Sequence, residues 1–296
     1  MRNLSDFGMM EWLRLLPCHD ALKQWRNDAW QAAYITKRAE GQERLVSELR
    51  QQKGALGLVV AFEQPWALNW QLTLASRNIP DTTMVVFDNS RRPEMRRQIA
   101  QVCLDRQVPY LALPPNPTRH VNRSHGFAMS WIYHNVVKPA APSSFAFIDH
   151  DMIPVAPNRL LSNLDGQVVY GLPNDSLWGW HLWAGYCAFD FDYASRRTVN
   201  FLYDFSNGLD TGGRNWRSLY RELDASTLRM AKHRMREIID PVSGHPFTIQ
   251  VIDDCWYHIG SISYNNGFES QFELCQHLEA ELAAGRPWAE LCPPQG

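Results

Sequence analysis

What most constrains this chain is a regular alternation between residues 55 and 149. Leu56-Gly57-Leu58-Val59-Val60-Ala61-Phe62 is apolar at every position, as a strand covered on both faces must be. Pro65 then stands where a helix tolerates proline, in its first turn, and Trp66 to Arg77 reads as a helix. Thr82 to Phe87 is a second buried run, Pro93 to Arg106 a second helix, and Val108 to Leu113 a third strand. After the loop Pro114-Pro115-Asn116-Pro117, Ser124 is placed to cap a helix over 125–138 that stops at Lys138-Pro139. Ser144-Phe145-Ala146-Phe147-Ile148 is the fourth strand. Strands and helices in strict alternation give an α/β fold with a parallel sheet and right-handed crossovers. Ligands of such sheets bind beyond the carboxyl ends of the strands, and Glu63, Asp88 and Asp149 all fall at such ends.

The flanks are less regular. Residues 1–53 contain no strand pattern. Leu22, Trp25, Ala29, Ala32 and Ile35, then Leu45, Val46 and Leu49, recur at helical spacing and predict added helices packed on the domain, closed at Lys53-Gly54. Beyond residue 150, strands are expected over 167–172 and 185–189 on either side of a tryptophan-rich loop. A polar helix should start near Asp210, an Arg/Lys-rich helix should cover 224–239, and a strand should cover 247–252. Leu274, Leu278 and Leu282 mark a final helix ended by Gly285 and Pro287.

Composition removes whole classes. With 45% hydrophobic and 20% charged residues the chain is neither disordered nor low in complexity. A net charge of −2 takes away the electrostatic basis for non-specific nucleic-acid binding. No uninterrupted apolar run reaches the ~18 residues of a membrane span, and Glu11 and Arg14 break any signal-peptide core near the start. The six cysteines form no CxxC pair, so reduced thiols and a cytoplasmic location are expected rather than zinc or disulfides.

The chemistry concentrates where the fourth strand runs into Asp149-His150-Asp151. Two carboxylates on a tight turn can share one hard divalent cation, whose open positions suit substrate phosphates. The alternative is a structural turn before Pro154. In this setting the sequence resembles the GT-A glycosyltransferases, particularly the family-2-like group, over about residues 55–265. Val85-Val86-Phe87-Asp88-Asn89-Ser90 is similar to the strand end whose Asp contacts the nucleoside of a nucleotide-sugar. Asn122 to Ser130 resembles the segment under the diphosphate, and Asp149-His150-Asp151 the DxD metal motif. His258, in His258-Ile259-Gly260-Ser261, stands where many such enzymes return a late ligand to the metal. Asp210 stands where the family places an acidic residue beside the acceptor, although Arg214 and Asn215 replace the usual Glu-Asp pair.

The resemblance therefore implies a GT-A catalytic domain over 54–270, with a helical extension at 1–53 and a C-terminal helix and tail at 271–296. It implies a donor site lined by Phe62, Glu63, Asp88, Asn89, Arg123, His125, Asp149 and His150. It implies Mn²⁺ or Mg²⁺ held by Asp149, Asp151 and His258, and Asp210 as the base of an inverting transfer. The donor would be a nucleotide-sugar, most often UDP-linked, and the acceptor a glycan, a lipid-linked glycan or a peptide. His258 also reads as a structural histidine beside Trp256 and Tyr257, and Asp210 also reads as a helix N-cap.

Trp178, Trp180 and Trp183 are the aromatic candidates for a sugar or acceptor wall, ordinary packing being the other reading. Two further classes stay open. A haloacid-dehalogenase-like phosphohydrolase would use Asp149 as nucleophile, Asp151 as acid/base, and Asp253 and Asp254 as distal Mg²⁺ ligands. A non-catalytic carbohydrate-binding protein would rely on the tryptophans alone. Peripheral contact with a membrane through the N-terminal helices also stays open.

Overall fold

A computed structural model describes residues 8–9, 17–260, 262 and 269–293. Most of the expected helical block before residue 17, with the N-terminal reading that rests on it, and Ser261 of the His-x-Gly-Ser segment lie outside those residues. The apolar runs form strands β1 (Ala55–Ala61), β2 (Thr83–Asp88), β3 (Tyr110–Ala112) and β4 (Ser144–Asp149). Together with β6 (Val169–Ser176) and β7 (Gly179–Asp190) they make a six-stranded sheet in the order β3-β2-β1-β4-β7-β6. β1 to β4 are parallel, while β7 runs antiparallel to both β4 and β6. The fold is thus mixed α/β with a mainly parallel central sheet. A second, antiparallel sheet in the order β5-β10-β9-β8 is built from β5 (Met152–Pro154), β8 (His233–Ile239), β9 (Pro246–Ile252) and β10 (Trp256–His258).

The helix Pro65–Asn78 joins the two layers. Leu68 and Leu72 pack with Val59, Val86 and Ile148 of the large sheet, whereas Trp70 and Leu74 pack with Ile153, Val251 and Tyr257 of the small one. The C-terminal helix Glu269–Ala283 buries Leu274, Leu278 and Leu282 in that second cluster. Among the described residues no helix is long and apolar enough to cross a membrane.

Several expected elements differ. The stretch 224–239 is not a helix: β8 covers its second half as an edge strand, with only Arg236 and Ile238 buried in alternation. No helix starts at Asp210; a short 3₁₀ turn follows at Gly213–Asn215. The tryptophan-rich loop is the β6–β7 hairpin, with Leu177 and Trp178 at its tip. The helix before β4 begins at Val121 rather than beyond Ser124, and the ring of His120 accepts from Arg123 N at 3.5 Å. Ser124 lies inside that helix, past its first turn, and its hydroxyl accepts instead from Asn89 Nδ2 at 3.0 Å. Lys138-Pro139 does not stop the chain's helical path either; a π turn over Tyr133–Val137 carries it to Ala140.

The helix Pro17–Ile35 inverts the expected face. Asn27, Gln31 and Tyr34 are buried, whereas Leu22 and Trp25 are 61% and 71% exposed. Polar pairing holds it down: Asn27 Nδ2 donates to Tyr203 Oη (3.1 Å), Gln31 Nε2 to Ser130 Oγ (2.7 Å), and Tyr34 Oη to the Pro114 carbonyl (3.0 Å).

Candidate active site

Register places the chemistry. β1 pairs Ala61 with Asp88 of β2 and Val60 with Asp149 of β4, so both carboxylates stand on the carboxyl edge of the parallel strands. A cavity of about 280 Å³ opens at that edge, lined among others by Phe62, Asn89, His125, Asp149, His150, Asp151, Trp183, Asp210 and His258. Residues far apart in sequence are therefore brought to one cleft.

Five of the expected donor-site and aromatic candidates lie off this cavity. Asp88 is wholly buried, and its carboxylate accepts from Ser90 N (2.8 Å) and Tyr110 Oη (2.9 Å), so it supports the strand end. Glu63 accepts from the backbone of Arg91 and Arg92 and from Arg92 Nε at 2.7 Å. Burial opposes its charge, but these bonds hold its carboxyl below the ordinary range. Arg123 donates to Tyr203 Oη at 3.0 Å and stacks over Trp30. Trp180 is buried against Trp216 and Tyr220. Trp178 is 71% exposed at the hairpin tip, so the three tryptophans form no common wall and only Trp183 faces the cavity.

Around the Asp149-His150-Asp151 turn the packing is dense. Gln71 Nε2 donates to the carbonyls of Asp149 (2.7 Å) and Met152 (2.8 Å), clamping the turn from the neighbouring helix. Asp149 Oδ1 lies 3.4 Å from His125 Nε2. Burial and the adjacent Asp151 push the Asp149 carboxyl up, while burial pushes the His125 imidazole down to about 4. Asp210 is exposed and accepts from Asn122 Nδ2 at 2.9 Å; it caps no helix. Sequence reasoning missed Gln71, Gly185 and Gln250, whose roles depend on contacts across elements and leave no local pattern.

Among the described residues no three His, Cys, Asp or Glu side chains form a ready-made metal cluster. The cleft offers a pair instead. His258 Nδ1 lies 2.5 Å from Gln250 Oε1. An amide oxygen only accepts, so Nδ1 carries a proton, and the neutral form of the ring then has its lone pair at Nε2. That atom faces Asp151 Oδ1 at 3.8 Å. Two acceptors across such a gap suit a shared cation, since ligand bonds of ~2.1 Å on each side span up to ~4 Å. A Mg²⁺-like ion needs only one or two protein ligands, water and phosphate filling the rest. Asp149, expected as a third ligand, sits instead beside His125.

Asp253 and Asp254 do not join this cleft. They form the tight β9–β10 turn and line a separate concavity. Asp253 accepts from Tyr170 Oη (2.7 Å), Tyr186 Oη (3.2 Å) and Lys232 N (2.9 Å), and Asp254 pairs with Arg236 at 2.6 Å. They cannot be distal ligands to an ion at Asp149, which removes the geometry a haloacid-dehalogenase-like hydrolase needs.

No protein-family model matches the sequence, and no curated protein matches it. Solved structures that resemble part of the chain include mannosyltransferase PcManGT from Pyrobaculum calidifontis, in complex with GDP-Man and Mn²⁺. It shares 10% identity over 60% of this chain and 53% of that one, with a TM-score of 0.34. Glucosyl-3-phosphoglycerate synthase from Mycobacterium tuberculosis, in complex with Mn²⁺ and uridine-diphosphate-glucose, shares 14% over 53% and 63%, at 0.35. Mannosyltransferase Ktr4p from S. cerevisiae shares 8% over 56% and 71%, at 0.30. The chain spans less than two thirds of the length of the first two.

Proposed function

We propose that the chain is a divalent-metal-dependent glycosyltransferase that moves a sugar from a nucleotide-sugar, UDP-linked in the simplest case, to an acceptor hydroxyl. The observation that carries this reading is the facing pair of Asp151 and His258 in a cleft that also holds Asp149 and, on its rim, Asp210. Asp151 and His258 would hold Mn²⁺ or Mg²⁺, which when bound neutralises charge building on the departing nucleoside diphosphate. Phe62, Asn89 and His125 supply the neighbouring wall for the nucleotide, and the face of Trp183 suits the apolar side of a sugar ring. Asp210, oriented by Asn122, would take the acceptor hydroxyl proton as that oxygen bonds to the anomeric carbon and the carbon–phosphate-oxygen bond breaks, which inverts the configuration.

A panel of nucleotide-sugars with Mn²⁺ tests this by release of the nucleoside diphosphate. One donor should turn over, and Asp151→Asn should lower its turnover at least ~100-fold, as loss of an interaction worth several kcal/mol to the transition state requires. Full Mn²⁺-dependent turnover in that variant would refute the metal assignment, and hydrolysis of p-nitrophenyl phosphate would favour a phosphatase. Asp210→Asn should cut transfer by ~10² or more while leaving Mn²⁺ and nucleotide binding unchanged. Unaltered transfer in that variant removes Asp210 as the base.

A further inference from the structure

Gln250 lies outside the cavity lining, yet it controls how one cavity residue presents itself. In the small sheet β10 pairs with β9 so that His258 stands directly opposite Gln250, and with β5 so that His258 stands opposite Met152. Cross-strand partners share a face, which brings the Gln250 amide to the imidazole, and Asp151 immediately precedes β5. Trp183 packs against the ring with centroids 4.8 Å apart, restricting how far it can turn. Held this way, the neutral imidazole has one favoured tautomer. Its Nδ1–H is given to Gln250 Oε1, and Nε2 is left as an acceptor aimed at a carboxylate.

We propose that Gln250 is the positioning residue of the cation site: it fixes the Nδ1–H tautomer of His258 and so turns Nε2 into a ligand facing Asp151. The proposal rests on the divalent-cation reading above. A neutral acceptor is well chosen for this task. It selects the tautomer without adding another carboxylate beside Asp149 and Asp151. Partners of this kind on the far nitrogen of a ligating histidine set its orientation and basicity, and their loss typically costs 10–100-fold in metal affinity.

Two measurements on the full chain test the proposal, one of which needs no metal. Long-range ¹H–¹⁵N spectra of the metal-free protein at pH 8, with the His258 signals assigned through His258→Gln, should show the Nδ1–H tautomer. Gln250→Leu, similar in size but without an acceptor, should lose that preference, and Gln250→Glu should keep it. Mn²⁺ titrations followed by electron paramagnetic resonance should show binding ~10–100-fold weaker in Gln250→Leu, and within ~3-fold of the parent or tighter in Gln250→Glu. An Nε2–H tautomer or an imidazolium in the parent protein overturns the proposal, and because neither Gln250 variant enters that test it survives a failure of either of them to fold. Unchanged Mn²⁺ affinity in a folded Gln250→Leu also overturns it. A parent protein with the Nδ1–H tautomer but no Mn²⁺ binding overturns it through the cation reading, leaving the hydrogen bond itself intact.

Discussion

On β7, beside the end of β4, residue 185 is glycine, and two neighbours that share its space give the reason. A Cβ built there would overlap both Asp149 Oδ2 and the six-membered ring of Trp183. The missing side chain is what lets a carboxylate and an indole lie against one strand. Gly185→Ala must therefore displace Trp183, Asp149 or both, since the clash is with a ring and with the carboxylate of a residue whose backbone carbonyl is held by Gln71. Misplacement by ~1 Å is enough to cost ~10²-fold in turnover, and a loss of that order in kcat/KM is the expected result. Wild-type turnover in the alanine variant would put Trp183 and Asp149 outside the reaction. No sequence pattern marks Gly185, because its reason is a meeting of Asp149, on another strand, with the ring of Trp183. Asp149 and Asp151, by contrast, were legible: they close an apolar run, and parallel register delivers such residues to the sheet edge whatever the rest of the fold does.

Elements show the same division between local and non-local information. The alternation from β1 to β4 was readable because strands buried on both faces leave continuous apolar runs that little else produces. β8 was not, because an edge strand buries only Arg236 and Ile238, one of them charged, while its exposed positions mix His233, Arg234 and Glu237 with Met235 and Ile239 and so show no clean alternation. The helix Pro17–Ile35 was readable as a helix, but periodicity reveals that a face exists and not which side is covered. Its buried side is the polar one, and this separates two kinds of substitution. Tyr34, 1% exposed, stacks on Phe127 at 5.9 Å and bonds the Pro114 carbonyl, so Tyr34→Ala should destabilise the fold by ~3–5 kcal/mol, as truncation of a buried aromatic does. Leu22→Ser and Trp25→Ser, on the outward stripe, should change unfolding free energy by no more than ~0.5 kcal/mol. Chemical denaturation of the three variants makes the comparison. A large loss from Trp25→Ser would mean that the stripe packs against something in solution.

For the molecule as a whole, two cleft residues set opposing pH dependences, and a cation should tip the balance between them. Burial pushes His125 down to about 4. Between the ordinary imidazole value of ~6.5 and that point the unfolded chain binds a proton the folded chain refuses, so stability falls as pH drops through this window. Asp149 is displaced the other way, by burial first and then by Asp151. Above the ordinary carboxylate value of ~3.9 the folded chain keeps a proton the unfolded chain has lost, so stability falls as pH rises until Asp149 ionises. Without metal the two slopes offset each other between pH ~4 and ~6.5, and above that only the penalty from Asp149 remains. A divalent cation beside these carboxylates takes the place of that proton. Its affinity must then rise with pH, and its stabilisation of the fold, RT ln(1 + [L]/Kd), must rise with it. The increase in Tm produced by a fixed Mn²⁺ concentration should accordingly be larger at pH 7.5 than at pH 5.5, and EDTA should abolish it at both. Asp151→Asn should flatten the difference, because it removes a ligand and the main charge acting on Asp149. A Mn²⁺ shift of equal size at the two pH values would mean that the ion is held by groups that do not titrate there, and would take it away from the Asp149–Asp151 turn.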